Sequence, residues 1–201
     1  MGDGHGHYFD AAPGVASDPS TVRLVLPDVV LTLATDRGVF SGQRVDPGTK
    51  QLLLDAPPPP ASGTFVDLGC GYGPIACTLA ARSPAATVWA VDVNDRALDL
   101  CRANAAAHHL ENVVVARPGD VPSDLTVDLL WSNPPIRIGK AALHDLLGSW
   151  LARLAQRGRA VLVVQKHLGA DSLQRWLGAE GWRAERIGSR AGYRLLEVAR
   201  R

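Results

Sequence analysis

Three groups of residues in this 201-residue chain have the types and spacing to do chemistry. The first is "SNPPIRIGK", residues 132–140, directly after the apolar run "DLLW". Asn133 offers an amide oxygen and Pro134 a backbone carbonyl. Neither Pro134 nor Pro135 has an N–H to compete, and both fix φ. Two rigid acceptors suit a planar amino group. Such a nitrogen is a poor nucleophile, because its lone pair is delocalised into the adjoining π-system. Holding both of its N–H bonds orients it for attack, and fixed acceptors aimed at developing positive charge are worth about 3 kcal/mol. Such a nitrogen needs no strong general base, because its proton turns acidic only after a group has been transferred to it.

The second group is "VDLGCGYGP", residues 66–74. Gly69, Gly71 and Gly73 let the backbone approach a ligand closely and take positive φ. The third is Asp92, which follows the next apolar run, "TVWAV", 25 residues after Asp67. A carboxylate there can accept from both hydroxyls of a ribose. A nicotinamide dinucleotide fits poorly, because the sixth position of G-x-G-x-x-G/A is Pro74. Asp67, two residues before the first glycine, would also repel a pyrophosphate. The same carboxylate suits a cation, and S-adenosylmethionine carries a sulfonium and an ammonium but no phosphate. Asp120, in "RPGD", could accept from an adenine amino group, or be an ordinary exposed turn residue.

These groups must be positioned by strands and helices. Val22, Leu24 and Leu26 alternate before Pro27-Asp28, and Val29, Leu31 and Leu33 after it, which predicts a β-hairpin. Residues 47–55 predict a short helix opened by Pro47, and "PPPP" at 57–60 a stiff spacer. From Gly63 onward apolar runs alternate with helical periodicity. "TFVDLG", "TVWAVDV", "NVVVARP", "VDLLWSNPP" and "RAVLVVQK" read as strands. "PIACTLAAR", "NDRALDLCRANAAAHHL", "AALHDLLGSWLARLAQ" and "ADSLQRWLGAEG" read as helices. Continuously apolar strands mean a parallel sheet buried on both faces. "WRAERIGSR" and "YRLLEVARR" are too close together for a parallel crossover, so the last strand should run antiparallel. The carboxyl ends of parallel strands are where such sheets bind ligands, and all three groups lie there. The expected division is an irregular segment 1–20, a hairpin, helix and spacer over 21–60, and the α/β domain over 61–201.

Composition bounds the rest. Hydrophobic residues make up 46% and charged residues 20%, enough for one domain with a core. Net charge is +1, so any basic surface must be local. Cys70, Cys77 and Cys101 match no zinc spacing and read as reduced cytosolic thiols. His5 and His7 sit in a Gly-rich start, and no metal site is expected. No apolar run is long enough for a membrane span. His144 and His167 are candidate acid–base groups, His144 within an amphipathic helix and His167 at a strand end. The five tryptophans fall in strand and helix patterns and read as core.

"VDLGCGYGP", "VDVN", "SNPPIRIGK" and "GVFSGQRVDPGTKQLLLD" together resemble the small-methyltransferase-domain family. This class I S-adenosylmethionine-dependent group contains the ribosomal RNA guanine-N2 methyltransferases. The similarity runs from about Tyr8 to Leu196. It implies a Rossmann-like, seven-stranded, mostly parallel sheet with an antiparallel last strand. It also implies cofactor contacts at Asp67, Gly69, Cys70, Gly71, Gly73, Asp92, Val93, Asp120, Asn133, Gly48 and Thr49, and a catalytic loop from Asn133 to Ile136. Phe40, Gly48 and Thr49 would close over the site. The chain departs from related enzymes in two ways. Ile136 stands where adenine and glutamine N-methyltransferases usually carry an aromatic residue, and one copy of the domain is expected here, where the best-understood ribosomal RNA members carry a second, degenerate one ahead of it. RNA contacts would then fall to the hairpin or to Arg137, Lys140, Lys166, Arg190 and Arg194. The expectation is a cytoplasmic N-methyltransferase acting on guanine N2 of ribosomal RNA, alone or within a ribosomal subunit. The alternatives are a protein-glutamine or small-molecule N-methyltransferase and a non-catalytic assembly factor. Whether the chain works as a monomer is left open.

Overall fold

A computed structural model describes residues 15–201, so His5, His7 and Tyr8 lie outside the described residues. The chain opens with the hairpin β1 (Ser20–Val25) and β2 (Val30–Thr35), paired antiparallel as the alternation predicts. Helix α1 (Pro47–Asp55) follows, and Asp46 caps it by accepting from the Thr49 N–H at 3.0 Å. The alternating unit comprises β3 (Ser62–Leu68), α2 (Pro74–Arg82), β4 (Ala85–Val91), α3 (Asp95–Ala107) and β5 (Val113–Ala116). It continues with β6 (Val127–Ser132), α4 (Lys140–Leu151), β7 (Leu154–Gln165), α5 (Ala170–Ala179), β8 (Arg183–Arg190) and β9 (Tyr193–Ala199).

Seven strands form one sheet in the order β5-β4-β3-β6-β7-β9-β8, and β9 runs antiparallel to both of its neighbours. The strand order reverses between β3 and β6, whose carboxyl ends lie side by side with Asp67 opposite Trp131. The buried Ser132 hydroxyl donates to the Leu68 carbonyl at 2.6 Å and ties the two ends together. Strand residues alternate between two apolar layers. Phe65, Leu129 and Trp131 face α1, α2 and α3, while Val66, Leu130 and Leu162 face α4 and α5.

The hairpin contributes Val22, Leu24, Leu31 and Leu33 to the first of these layers. Three devices hold it there. Asn104 accepts from the Ala34 N–H at 2.7 Å and donates to the Ala34 and Tyr72 carbonyls. Arg82 forks onto Asp28 at 2.7 and 2.9 Å, holding that carboxyl below the usual range. A ring nitrogen of His108 lies 2.9 Å from the Thr32 carbonyl.

One element differs from the periodicity. The helix read through Gln156 ends at Leu151, and Leu154 already pairs with Val127 as the first residue of β7. Buried Leu154 satisfies the apolar pattern of either element, so its period could not separate them. Three extra residues of β7 are then absorbed before Arg159 pairs with Leu129.

Candidate functional site

A cavity of about 250 Å³ opens at the carboxyl ends of β3, β4 and β6. Gly69 and Gly71 line it beyond β3, Asp92 and Val93 beyond β4, and Asn133 to Arg137 beyond β6. Phe40 and Asp46 come from the segment before α1, and Tyr193 from the start of β9.

Gly69 and Gly71 take left-handed φ of +77° and +54°. An added Cβ at either would meet no atom within 4 Å, so the turn presents bare backbone to open space. Asp92 holds that turn. Its Oδ2 accepts from the Gly71 N–H at 2.9 Å and its Oδ1 from the Asn94 N–H at 3.0 Å. Burial pushes its pKa up, and these backbone donors oppose the shift. Each carboxylate oxygen retains a lone pair for a hydroxyl in the cavity.

Asp67 behaves differently from the expectation. It is fully buried behind the turn and does not line the cavity. Its Oδ2 accepts from the Ala76 N–H in the first turn of α2 at 2.9 Å, and Oδ1 has no hydrogen-bond partner. Burial, aided by the nearby Asp92 charge, pushes its pKa up to about 8. It sits directly opposite Trp131 within the sheet, so its carboxyl turns into the interior and acts on the loop through the backbone of α2.

The Asn-Pro-Pro stretch forms a tight turn with trans peptides. The Ile136 N–H donates to the Pro134 carbonyl at 2.8 Å, closing an inverse γ-turn with Pro135 at φ −74° and ψ 76°. That carbonyl is therefore already engaged and keeps one lone pair. The Asn133 amide is more tightly committed. Its Nδ2 donates to Asp46 Oδ1 at 2.8 Å and to the buried Thr49 Oγ1 at 3.0 Å. With both N–H bonds taken, the Asn133 atom left for a ligand is Oδ1, an acceptor.

The remaining predicted residues divide. Phe40, Val93, Ile136 and Arg137 line the cavity, and Cys70 and Thr49 line a small adjoining recess. Gly48 does not line it. It allows close packing instead, because a Cβ there would lie 2.6 Å from the Tyr193 ring. Gly73 packs against Cys101 and Cys77. Asp120, Lys140 and Lys166 are exposed and do not line the cavity. His144 stacks on Trp176 with ring centroids 3.8 Å apart, and neither it nor His167 lines the cavity. Arg194 pairs with Asp171, and Arg190 with Asp55 at 3.7 Å. Among the described residues no cluster of His, Cys, Asp or Glu could hold a metal, and no helix is long and apolar enough to cross a membrane.

Sequence reasoning missed Asp46 and Tyr193. The signal for Asp46 was its place before Pro47, where an acid caps a helix. Tyr193, in the terminal "GY" that the family resemblance includes, was given no role in the site. The aromatic lining therefore comes from Phe40 and Tyr193, on distant segments, rather than from position 136.

A glycine backbone cradle, a half-buried ribose-type carboxylate and an oriented acceptor fit S-adenosylmethionine. Comparison with known proteins agrees. The model of the family described as "Methyltransferase small domain" matches residues 30–197. YbxB of Bacillus subtilis, whose name describes it as uncharacterized, is 35% identical over 169 residues, 83% of this chain and 84% of that one. The ribosomal RNA small subunit methyltransferase C of Shewanella amazonensis is 32% identical over 74% of this chain. The aligned region spans only 44% of that enzyme. A T. thermophilus 16S rRNA N2 methyltransferase, solved with AdoMet and guanosine, superposes with a TM-score of 0.70 at 20% identity. The match covers 94% of this chain and 52% of that one, and at this identity the likeness is one of fold.

Proposed function

The chain belongs to the methyltransferase small domain family, and from that premise we propose that it methylates the exocyclic N2 of guanine in ribosomal RNA, in the cytoplasm. The observation that carries this reading is the Asn133 amide, pinned by Asp46 and Thr49 so that it offers only an acceptor to the cavity. Gly69, Gly71, Asp92 and Val93 would hold S-adenosylmethionine, which supplies an activated methyl group. Asn133 Oδ1 takes one N–H of the incoming amine and holds the nitrogen for in-line attack. As positive charge grows on that nitrogen, the same fixed dipole opposes it without reorganising. The N–H acidified by methylation then loses its proton to water. Pro134, with one lone pair left, is a weaker second acceptor than Asn133. The exposed Arg137 at the cavity edge suits a phosphate of the flanking RNA.

Ribosomal RNA as the substrate class is supported by the named activities of the relatives that share this domain. The chain spans about half the length of those enzymes. The test uses radiolabelled S-adenosylmethionine with separately isolated small and large ribosomal subunits. Label recovered as N2-methylguanosine is the expected result. Label in protein would replace guanine by an amide side chain. Asn133→Ala should cut turnover by about 10²–10³ with cofactor affinity unchanged, and undiminished turnover would sink the mechanism.

A further inference from the structure

We propose that Asp46 selects guanine, by accepting the ring N1–H while Asn133 accepts the adjacent N2–H. The inference rests on the exocyclic-amine reading above and narrows it to one base. Asp46 lines both the main cavity and the adjoining recess. Its Oδ1 is committed twice, to the Thr49 N–H at 3.0 Å and to Asn133 Nδ2 at 2.8 Å. No hydrogen bond from a described residue reaches its Oδ2. Asn133 Oδ1 and Asp46 Oδ2 are therefore the two acceptor atoms that this hydrogen-bonded unit at the start of α1 leaves uncommitted.

Two adjacent acceptors demand two adjacent donors. Among the four RNA bases only guanine provides them beside an exocyclic amine, as N1–H and N2–H. Adenine places the N1 lone pair beside its N6 amine, and cytosine the N3 lone pair beside its N4 amine. A carboxylate oxygen set against either lone pair is repulsive, so the same atom that attracts guanine rejects the other two. A glutamine amide has no second donor of this kind. The carboxylate makes the guanine contact charge-assisted, stronger than a neutral hydrogen bond.

The test compares guanosine with 2-aminopurine riboside, which keeps the N2 amine but has a lone pair at N1. Both are titrated onto protein saturated with S-adenosylhomocysteine, 2-aminopurine by its own fluorescence and guanosine by calorimetry. The wild type should prefer guanosine by tenfold or more. Asp46→Asn keeps an oxygen for Thr49 and Asn133, and asparagine caps helices as well as aspartate. It replaces the free acceptor by an N–H donor, so the preference should shrink by at least tenfold or invert. S-adenosylhomocysteine affinity should stay unchanged, which separates this result from general damage. A preference unaltered in Asp46→Asn would overturn the role of Asp46 and leave guanine as substrate. A wild type that binds guanosine no better than 2-aminopurine riboside would overturn the role by itself. Failure of guanosine to bind at all would remove the guanine reading with it.

Discussion

Asn133→Asp tests the contact on which the site depends. The substitution keeps the shape of the side chain and one acceptor oxygen, but turns the amide donor into a second oxygen. In the native protein that atom lies 2.8 Å from Asp46 Oδ1, so in the variant two carboxylates would meet there. Two unit charges at about 3 Å repel by roughly 6 kcal/mol at an effective dielectric near 20. The cavity is open to solvent, and screening leaves about half of that. At about 1.4 kcal/mol per unit, the pair would hold a shared proton roughly 2–4 units above the normal carboxylate range. The native variant then binds more protons than its unfolded chain from about pH 4 upward. Its stability is therefore fully present at low pH and lost as pH rises through the raised pKa. Relative to wild type, the variant should lose about 1–4 kcal/mol between pH 5 and pH 8. Urea denaturation of both proteins at the two pH values reads this directly, and subtracting the wild type cancels every other titrating group. Methyl transfer should decline over the same interval. A stability difference that is flat in pH would show that residues 46 and 133 do not touch, and the oriented-acceptor argument would fall.

Asp67→Asn should act in the opposite sense. The native carboxyl has its pKa raised to about 8, so its contribution is present below about pH 4 and lost at roughly 1.4 kcal/mol per unit as pH climbs to about 8. The variant should match wild type near pH 4 and exceed it at pH 8, measured by denaturation at each pH. Gly69→Ala puts a methyl group into open cavity space at φ +77°. It should cost about 1–2 kcal/mol of stability and weaken S-adenosylmethionine binding at least tenfold by calorimetry. Asn104→Ala removes three hydrogen bonds between the hairpin, α3 and the Tyr72 carbonyl. It should destabilise by about 2–4 kcal/mol in chemical denaturation, with hydrogen exchange at Ala34 accelerating.

The hairpin, the alternation of strands and helices and the reversed last strand were legible because each is written locally. Period-2 runs across Pro27-Asp28, apolar runs buried on both faces and a connection too short for a crossover each have one physical solution. The glycine turn, Asp92 and Asn133 were legible for a related reason. Backbone freedom, a strand-end carboxylate and an N–H-free acceptor pair are properties of residue type at a known place in the topology. Three things were decided only when the chain packed. Leu154 could be buried in a helix or a strand, and its partner Val127 settled which. Asp67 looked like a ligand contact, but its position within β3 turned it inward to the Ala76 N–H. Asp46, 87 residues from Asn133, reads locally as a helix cap. The same oxygen reaches across the carboxyl edge of the sheet to orient the amide. That coupling has no sequence period, because hydrogen-bond geometry between distant segments exists only after β3 and β6 have been brought side by side.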